Sequence, residues 1–447
     1  MGQSNLSFEP TKSLLAWFPD LRPEIWILAA GQLLLFIGQG FTLVYASIYF
    51  VNQLGFSPTQ VGLALGCSGV SGTIGRFLAG NTVETPGVGR RGTLLLSSVI
   101  SALACFVLAA AETMPLLIVG NVLLGLGISF YWPATLAMTT DLTSAHQRAE
   151  AFALTRLADN LGLGLGAFLA GQYIAMSGSF RILFISKGVA YLLFGFVMMW
   201  AIAETLPPQN PSVQHTSPNL WRNWRSALGD RTFVTYLMAN LIFTTYAAQL
   251  SSTLPLYLAN FVPAGNTTTG FSEQWISYFF VWHAALKIVF QLPITRRLQP
   301  FNHVTVLLGS LTLWAGGFLL IWVIGAVPTN AVIVAVGAFS VIAIAEVLYA
   351  PSATAIVSDI APQHLRGIYF SLESECWAIG FLIGPALGGW ALDHPVNGSY
   401  VWLGLVLVSS IAGVLLMRLK RRLSQLEVTA VATIPIASIV SPNIDTP

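Results

Sequence analysis

Uninterrupted apolar runs recur along the chain at about 25–51, 58–83, 92–111, 114–140, 148–173, 180–203, 231–261, 274–296, 303–325, 330–357, 367–391 and 400–417. Each is long enough to cross a hydrocarbon layer roughly 30 Å thick as a helix. None alternates polar and apolar positions, so the runs predict helices rather than barrel strands. The pattern therefore predicts an all-α integral membrane protein with twelve transmembrane helices.

The polar stretches between runs set the organisation. The longest, 204–230, carries Pro207, Pro208, Pro211 and Pro218 and reads as a cytoplasmic linker. It separates an N-terminal six-helix half over 25–203 from a C-terminal six-helix half over 231–417. Trp221 to Arg225 at its end suits a short helix in the membrane interface, as do Leu14, Leu15, Trp17 and Phe18 within the N-terminal segment 1–24. Segment 418–447 is expected to be a cytoplasmic tail, largely disordered from about 423. Basic residues cluster at one side: Lys12, Arg22, Arg90, Arg91, Arg148, Arg222, Arg225, Arg296, Arg297, Arg366 and the Arg418 to Arg422 group. By the excess of Lys and Arg in cytoplasmic loops, both termini are expected in the cytoplasm, in a multi-pass protein of the plasma (inner) membrane. The first run starts late and is too long for a cleavable signal peptide.

Composition narrows the function. Of 447 residues 55% are hydrophobic and only 9% charged, against about one-quarter charged in soluble domains. A net charge of +2 and three cysteines leave no basis for nucleic-acid binding or a disulfide framework. Cys67, Cys105 and Cys376 lie in apolar runs, where packing is their expected role. The sequence has no phosphate loop, C-x-x-C pair or H-E-x-x-H zinc helix. No enzyme activity, cofactor or metal site is expected.

The chain also repeats itself. A shift of 218 residues places Tyr131 on Tyr349, Pro133 on Pro351, Asp141 on Asp359, His146 on His364 and Arg148 on Arg366. It continues through Gly162 on Gly380, Gly166 on Gly384 and Gly171 on Gly389. Spans four and five thus correspond to ten and eleven, making two pseudo-symmetric halves related by an axis along the membrane normal. Carriers built this way bind their solute between the halves near the midplane.

Charges inside the spans are costly and so mark candidate sites. Those singled out are Arg156 and Asp159, Lys187, Lys287, Glu346, Glu373 and Glu375. Arg156 and Asp159 are neighbours on one helical face, readable as a structural pair or as coupling residues. Lys187 lies close to its rim and is expected to snorkel. Of Glu373 and Glu375, two apart, at most one is expected to line a cavity. Lys287 and Glu346 sit near mid-span with no opposite charge on their own helix, which favours coupling, gating or substrate contact. His283, one turn from Lys287, either shares that cavity or packs. Gln39, Asn121 and Gln249, with Gln32 and Asn240, are candidates to bond a solute. Tyr131, Trp132 and Tyr349 offer stacking surfaces beside helix-bending prolines. Glycine stripes in spans two, five and eleven allow close helix approach and, on the sharper reading, sliding.

Over about 25–420 these features resemble the major facilitator superfamily. Residues 80–91, with Gly80, Glu84, Gly89, Arg90 and Arg91, are similar to that family's G-x-x-x-D-R-x-G-R-R loop, with Glu84 for the acid and a short insertion. Residues 359–369 and 380–389 also resemble its twelve-span drug-efflux-like branch. Two features depart from proton-driven exporters of that branch. Span four reads Gly120, Asn121 to Gly125 without their arginine, and span five has Gly166-Ala167 in place of Gly-Pro. The resemblance implies the two-half carrier fold, alternating access, and loops that set conformational balance: the 80–91 loop, Asp141 with Arg148, and Asp359 with Arg366. It also implies that span eight lies beside span five, bringing Lys287 near Arg156 and Asp159 as a gate pair.

The expected function is a secondary active transporter of a small organic solute, proton-coupled, with efflux of an amphipathic compound preferred because spans one, four and seven lack charge. Uptake of a neutral metabolite or sugar is the alternative, and a non-transporting membrane sensor on a carrier fold is a third reading. The expected partners are the solute, a proton and the lipid bilayer, and a monomer is expected.

Overall fold

A computed structural model describes residues 21–144, 147–206, 220–262, 270–298, 300–326, 330–362, 365–394 and 398–432. The side chains of Gly80, Glu84, Trp221 and Arg366 lie outside the described set, as do His146, His364, the segment 1–20 with its proposed interfacial helix, 207–219 and 433–447. Among the described residues the regular structure is helical: α1 (Pro23–Leu43), α2 (Tyr45–Ile48) and a π-helical turn (Tyr49–Gln53), then α3 (Pro58–Glu84), α4 (Gly89–Ala109), α5 (Met114–Asp141), α6 (Arg148–Ser177) and α7 (Arg181–Ala201). After the linker come α8 (Leu220–Gly229), α9 (Arg231–Ser251), α10 (Thr253–Asn260), α11 (Glu273–Leu298), α12 (His303–Ala326), α13 (Ala331–Ile360), α14 (Arg366–Leu392) and α15 (Tyr400–Ala432).

These elements reproduce the twelve apolar runs. α1, α2 and the π turn make the first span, α9 and α10 the seventh. Among the described residues nine helices are long and apolar enough to cross a membrane. The other three spans, α3, α6 and α9 with α10, are richer in Gly, Thr or charge, and they pack α3 against α5 and α14, α6 against α1 and α11, and α9 against α14 and α15. α8 occupies the end of the linker, where Trp221 to Arg225 implied a helix. It stops at Asp230, whose Oδ1 accepts from the backbone of Thr232 and Phe233 and so caps α9.

One boundary differs from expectation. The stretch from about 423, expected to be largely disordered, continues α15 as far as Ala432. Arg422 explains the extension: its Nη1 donates to the Arg231 carbonyl at 2.5 Å and to Thr235 Oγ1 at 2.7 Å, fixing the helix to the first turns of α9.

The halves meet along two seams, α3 with α14 and α6 with α11. Glycine makes the first possible: a Cβ at Gly66 would lie 2.9 Å from the Leu382 carbonyl oxygen, and one at Gly69 would strike the Ala378 carbonyl. The backbones therefore run in contact, as in small-residue membrane interfaces. At one end of the bundle, α2 and α10 close the space between seams. Val44, Tyr45, Ile48 and Phe50 share a buried apolar cluster with Leu254, Tyr257 and Leu258.

Candidate functional site

Polar groups on the helices facing the space between the halves gather into a few sets. Asn52 and Asn260, at the ends of the first and seventh spans, exchange two hydrogen bonds: Asn52 Nδ2 to Asn260 Oδ1 at 2.9 Å and Asn260 Nδ2 to Asn52 Oδ1 at 2.8 Å. Around this closed end Tyr45 Oη donates to the Glu273 carbonyl, the Thr59 amide to Asp393, and Ser277 Oγ to the Ala167 carbonyl. Every one of these bonds joins the two halves. Toward the end where α1 begins and α15 finishes, the furthest such link among the described residues is Arg76 Nη1 to Glu375 Oε2 at 3.4 Å, with Thr73 Oγ1 donating to the same oxygen at 2.6 Å.

Lys287 and Glu346 form a direct ion pair, Nζ to Oε2 at 2.6 Å. His283 Nε2 lies 3.6 Å from the same oxygen. α11 supplies His283 and Lys287 one turn apart, and α13, packed beside it, supplies Glu346. This corrects the expectation that Lys287 meets Arg156 and Asp159 across the halves. The face of α11 against α6 carries Ser277 and Ala284, set on Ala167 and Gly164, while the His283 to Lys287 stripe turns to α13. It also corrects the reading of Glu346 as an acid alone at mid-span.

In the N-terminal half, Arg156 sets its guanidinium over the Trp132 ring, 5.3 Å from the centroid. Asp159 is buried, and its Oδ1 has no hydrogen-bond partner among the described residues. The two are adjacent but not an ion pair. Tyr131 packs against Trp132, Phe36 and Phe194. Its hydroxyl lies beside Gln32, Thr135 and Asp159. The Tyr131 hydroxyl, Thr135 Oγ1 and Gln32 Oε1 are all buried without a partner among the described residues.

The C-terminal half carries the counterpart. Tyr349, 218 residues after Tyr131, donates to Asn240 Oδ1 at 2.7 Å, and Asn240 Nδ2 donates to Glu373 Oε1 at 3.4 Å. Asn240 stands 208 residues after Gln32, the offset that also relates Asn260 to Asn52. That second offset between spans one and seven was the signal for Asn52 and Asn260, which the 218-residue repeat does not pair.

Two amides expected to face a solute are used elsewhere. Asn121 donates to the Leu117 carbonyl of its own helix, and Gln249 to the Gly384 carbonyl, tying α9 to α14; both are buried. Gln39 is half-buried, with Oε1 unpartnered among the described residues. Lys187 does not snorkel. It is 3% exposed, and Nζ donates to Thr42 Oγ1 at 2.8 Å, because α1 and α4 wall it from the rim.

The loop after α3 folds back on its own half. Gly89 adopts φ +64°, and the amides of Arg90 and Arg91 hold the Glu204 carboxylate at 2.9 and 3.0 Å, an acid at a helix N-terminus. Arg90 Nε binds Asp141 at 3.1 Å and its Nη1 the Val83 carbonyl, and Arg91 reaches the Met199 carbonyl. Asp141 therefore pairs with Arg90 rather than with Arg148, which is exposed. Asp359 is exposed as well, and no ion pair among the described residues joins the halves through these loops. Glu204 and Arg76 escaped the sequence reading: the first sits in a proline-rich linker, the second in a glycine-rich span. A lone arginine within an otherwise uncharged span was the available signal for Arg76.

A family model described as Major Facilitator Superfamily matches residues 28–265 and 258–438. Uncharacterized MFS-type transporter YqjV of Bacillus subtilis (strain 168) is 26% identical over 87% of this chain and 91% of its own length. Multidrug resistance protein MdtH of Photorhabdus laumondii is 24% identical over 80% of this chain and 85% of its own. Among solved structures, nucleoside transporter NupG superposes with a TM-score of 0.73 at 14% identity, covering 89% of this chain and 99% of that one. A POT family transporter in complex with 5-aminolevulinic acid gives 0.72 at 14%, covering 89% and 95%. At such identities the structural likeness concerns the fold.

Proposed function

The chain belongs to the Major Facilitator Superfamily, and from that membership we propose that this membrane transporter is a secondary active, proton-coupled carrier that exports an amphipathic organic compound by alternating access. The observation that carries the reading is the asymmetry of the space between the halves. Interhalf bonds crowd one end, around Asn52 and Asn260, while the other end has none beyond Arg76 to Glu375 among the described residues. A carrier with one gate shut and one open has this arrangement. With the excess of Lys and Arg at the open end, that end is the cytoplasmic one and both termini face the cytoplasm of the plasma (inner) membrane.

Export draws support from the relative named for multidrug resistance and from the aromatic groups around Tyr131 and Tyr349. Coupling to protons draws support from Asp159 and Glu373, buried or half-buried acids outside any ion pair among the described residues. A carboxyl so placed is most easily carried through a cycle by taking up a proton or a cationic solute. Glu346 is held by Lys287 within its own half and is not given this role. The test is counterflow and pH-gradient-driven flux in vesicles containing the purified protein, with solutes first selected by thermal shift. Exchange that stops in Asp159→Asn while solute still binds supports the reading. Flux indifferent to the pH gradient removes proton coupling, and absence of exchange for every bound solute removes the carrier.

A further inference from the structure

Asn240, Tyr349 and Glu373 form a hydrogen-bond chain with a single sense. The Tyr349 hydroxyl spends its only proton on Asn240 Oδ1, and Asn240 Nδ2 spends one on Glu373 Oε1. What the set still offers is the carboxylate lone pairs of Glu373 that neither Asn240 nor the Trp377 indole N–H takes up; the phenol oxygen itself is buried. No cation stands within ion-pair distance of Glu373 among the described residues. The guanidinium nearby, Arg76, is engaged by Glu375 at 3.4 Å. Aromatic groups wall the set. Phe243 stacks on Tyr349 with centroids 4.9 Å apart, Trp377 stands edge-on at 6.3 Å and beside Glu373, and Phe381 stacks on Trp377 at 6.2 Å.

We propose that this group is a subsite for a protonated primary or secondary amine borne on an apolar body, and that it rejects the corresponding quaternary ammonium. The inference rests on the carrier reading and narrows its solute. Aromatic walls alone attract any cation. The converging acceptors add direction: an N–H donor satisfies them, whereas a trimethylammonium presents methyl groups and leaves them desolvated and unpaired. Asn240 is a positioning residue. Its amide, fixed by Tyr349 at one end, holds Glu373 Oε1 and so orients the carboxylate.

The experiment is calorimetric titration of the purified full chain with 2-phenylethylamine and with its N,N,N-trimethyl derivative at neutral pH. The amine should bind, and the trimethyl compound should bind about ten- to a hundredfold more weakly, the worth of a hydrogen bond to a charged group. Glu373→Gln should erase the difference between the probes, and Asn240→Leu should reduce it. Equal binding of both probes to the unaltered protein overturns the subsite, as does a preference that survives Glu373→Gln. If neither variant folds, the two probes on the unaltered protein decide. Failure of both probes to bind at millimolar concentration also overturns it, yet leaves the carrier intact if counterflow of another solute persists. Amine binding without any counterflow removes the carrier reading alone.

Discussion

Lys287 and Glu346 face each other at 2.6 Å from adjacent helices of one half, with His283 at 3.6 Å from the shared carboxylate oxygen. Both charged side chains are partly shielded, 25% and 16% exposed. Removing one partner leaves the other without its counter-charge, at a cost of about 3–5 kcal/mol for a fully buried pair and less here because water reaches both. Lys287→Met and Glu346→Gln should each lower the melting temperature and transport, and the double variant should recover part of both. Strictly additive losses would show that the pair is not an energetic unit.

Asn52 and Asn260 hold the closed end by two reciprocal bonds in an exposed setting, so each is worth about 1 kcal/mol or less. Asn52→Ala should therefore leave folding unchanged and shift the balance toward the state open at that end. Replacing both by cysteine should allow a short bifunctional methanethiosulfonate to bridge the halves, since a reciprocal amide pair holds the two Cβ atoms too far apart for a direct disulfide. Transport should stop on cross-linking and return with reductant. A cross-linked protein that still transports would show that this end need not open.

How far the sequence reached can be judged from these two pairs. Twelve spans, the six-and-six division and the kinship of Tyr131 with Tyr349 were legible, because run length and repeat spacing are one-dimensional quantities. Which charge meets which was not. Lys287 turns toward Glu346 instead of Asp159 because of the rotation of α11 about its axis, and that rotation is set by small residues at Gly164, Ala167 and Ala284, whose meeting across the halves no spacing along the chain records. The fates of Asn121 and Gln249 were hidden for a related reason: an amide can satisfy a carbonyl of its own or a neighbouring helix as readily as a solute. Arg76 was passed over among glycines whose role is the α3 to α14 seam.

Glu204 ties the end of α7 to the first turn of α4. A carboxylate accepting two amides at a helix start is worth about 0.5–2 kcal/mol as a cap. Gly89, with φ +64° and its missing Cβ directed at that carboxylate, makes the approach possible. Glu204→Ala and Gly89→Ala should each lower the melting temperature, Gly89→Ala by more because alanine at φ +64° is also strained, and in the Glu204→Ala background Gly89→Ala should cost only that backbone strain, since the contact is already gone. Full additivity would separate the two.

Arg76 crosses from α3 to Glu375 on α14, about two turns from the open end of α3. Because every other interhalf hydrogen bond described above lies nearer the closed end, this link limits how far the open end can spread. The side chains are 28% and 13% exposed, which keeps its worth to about 1 kcal/mol or less, roughly a fivefold shift in population at most. Arg76→Ala should accelerate labelling of a cysteine placed at Ser358, a half-buried position near that end, and Arg76→Lys should restore part of the slow rate through the charge alone. Glu375→Gln should act more mildly than Arg76→Ala, since the Thr73 hydroxyl still has an acceptor there. Identical labelling in all four proteins would show that the link is passive and that the close-packed glycine seam alone sets the opening.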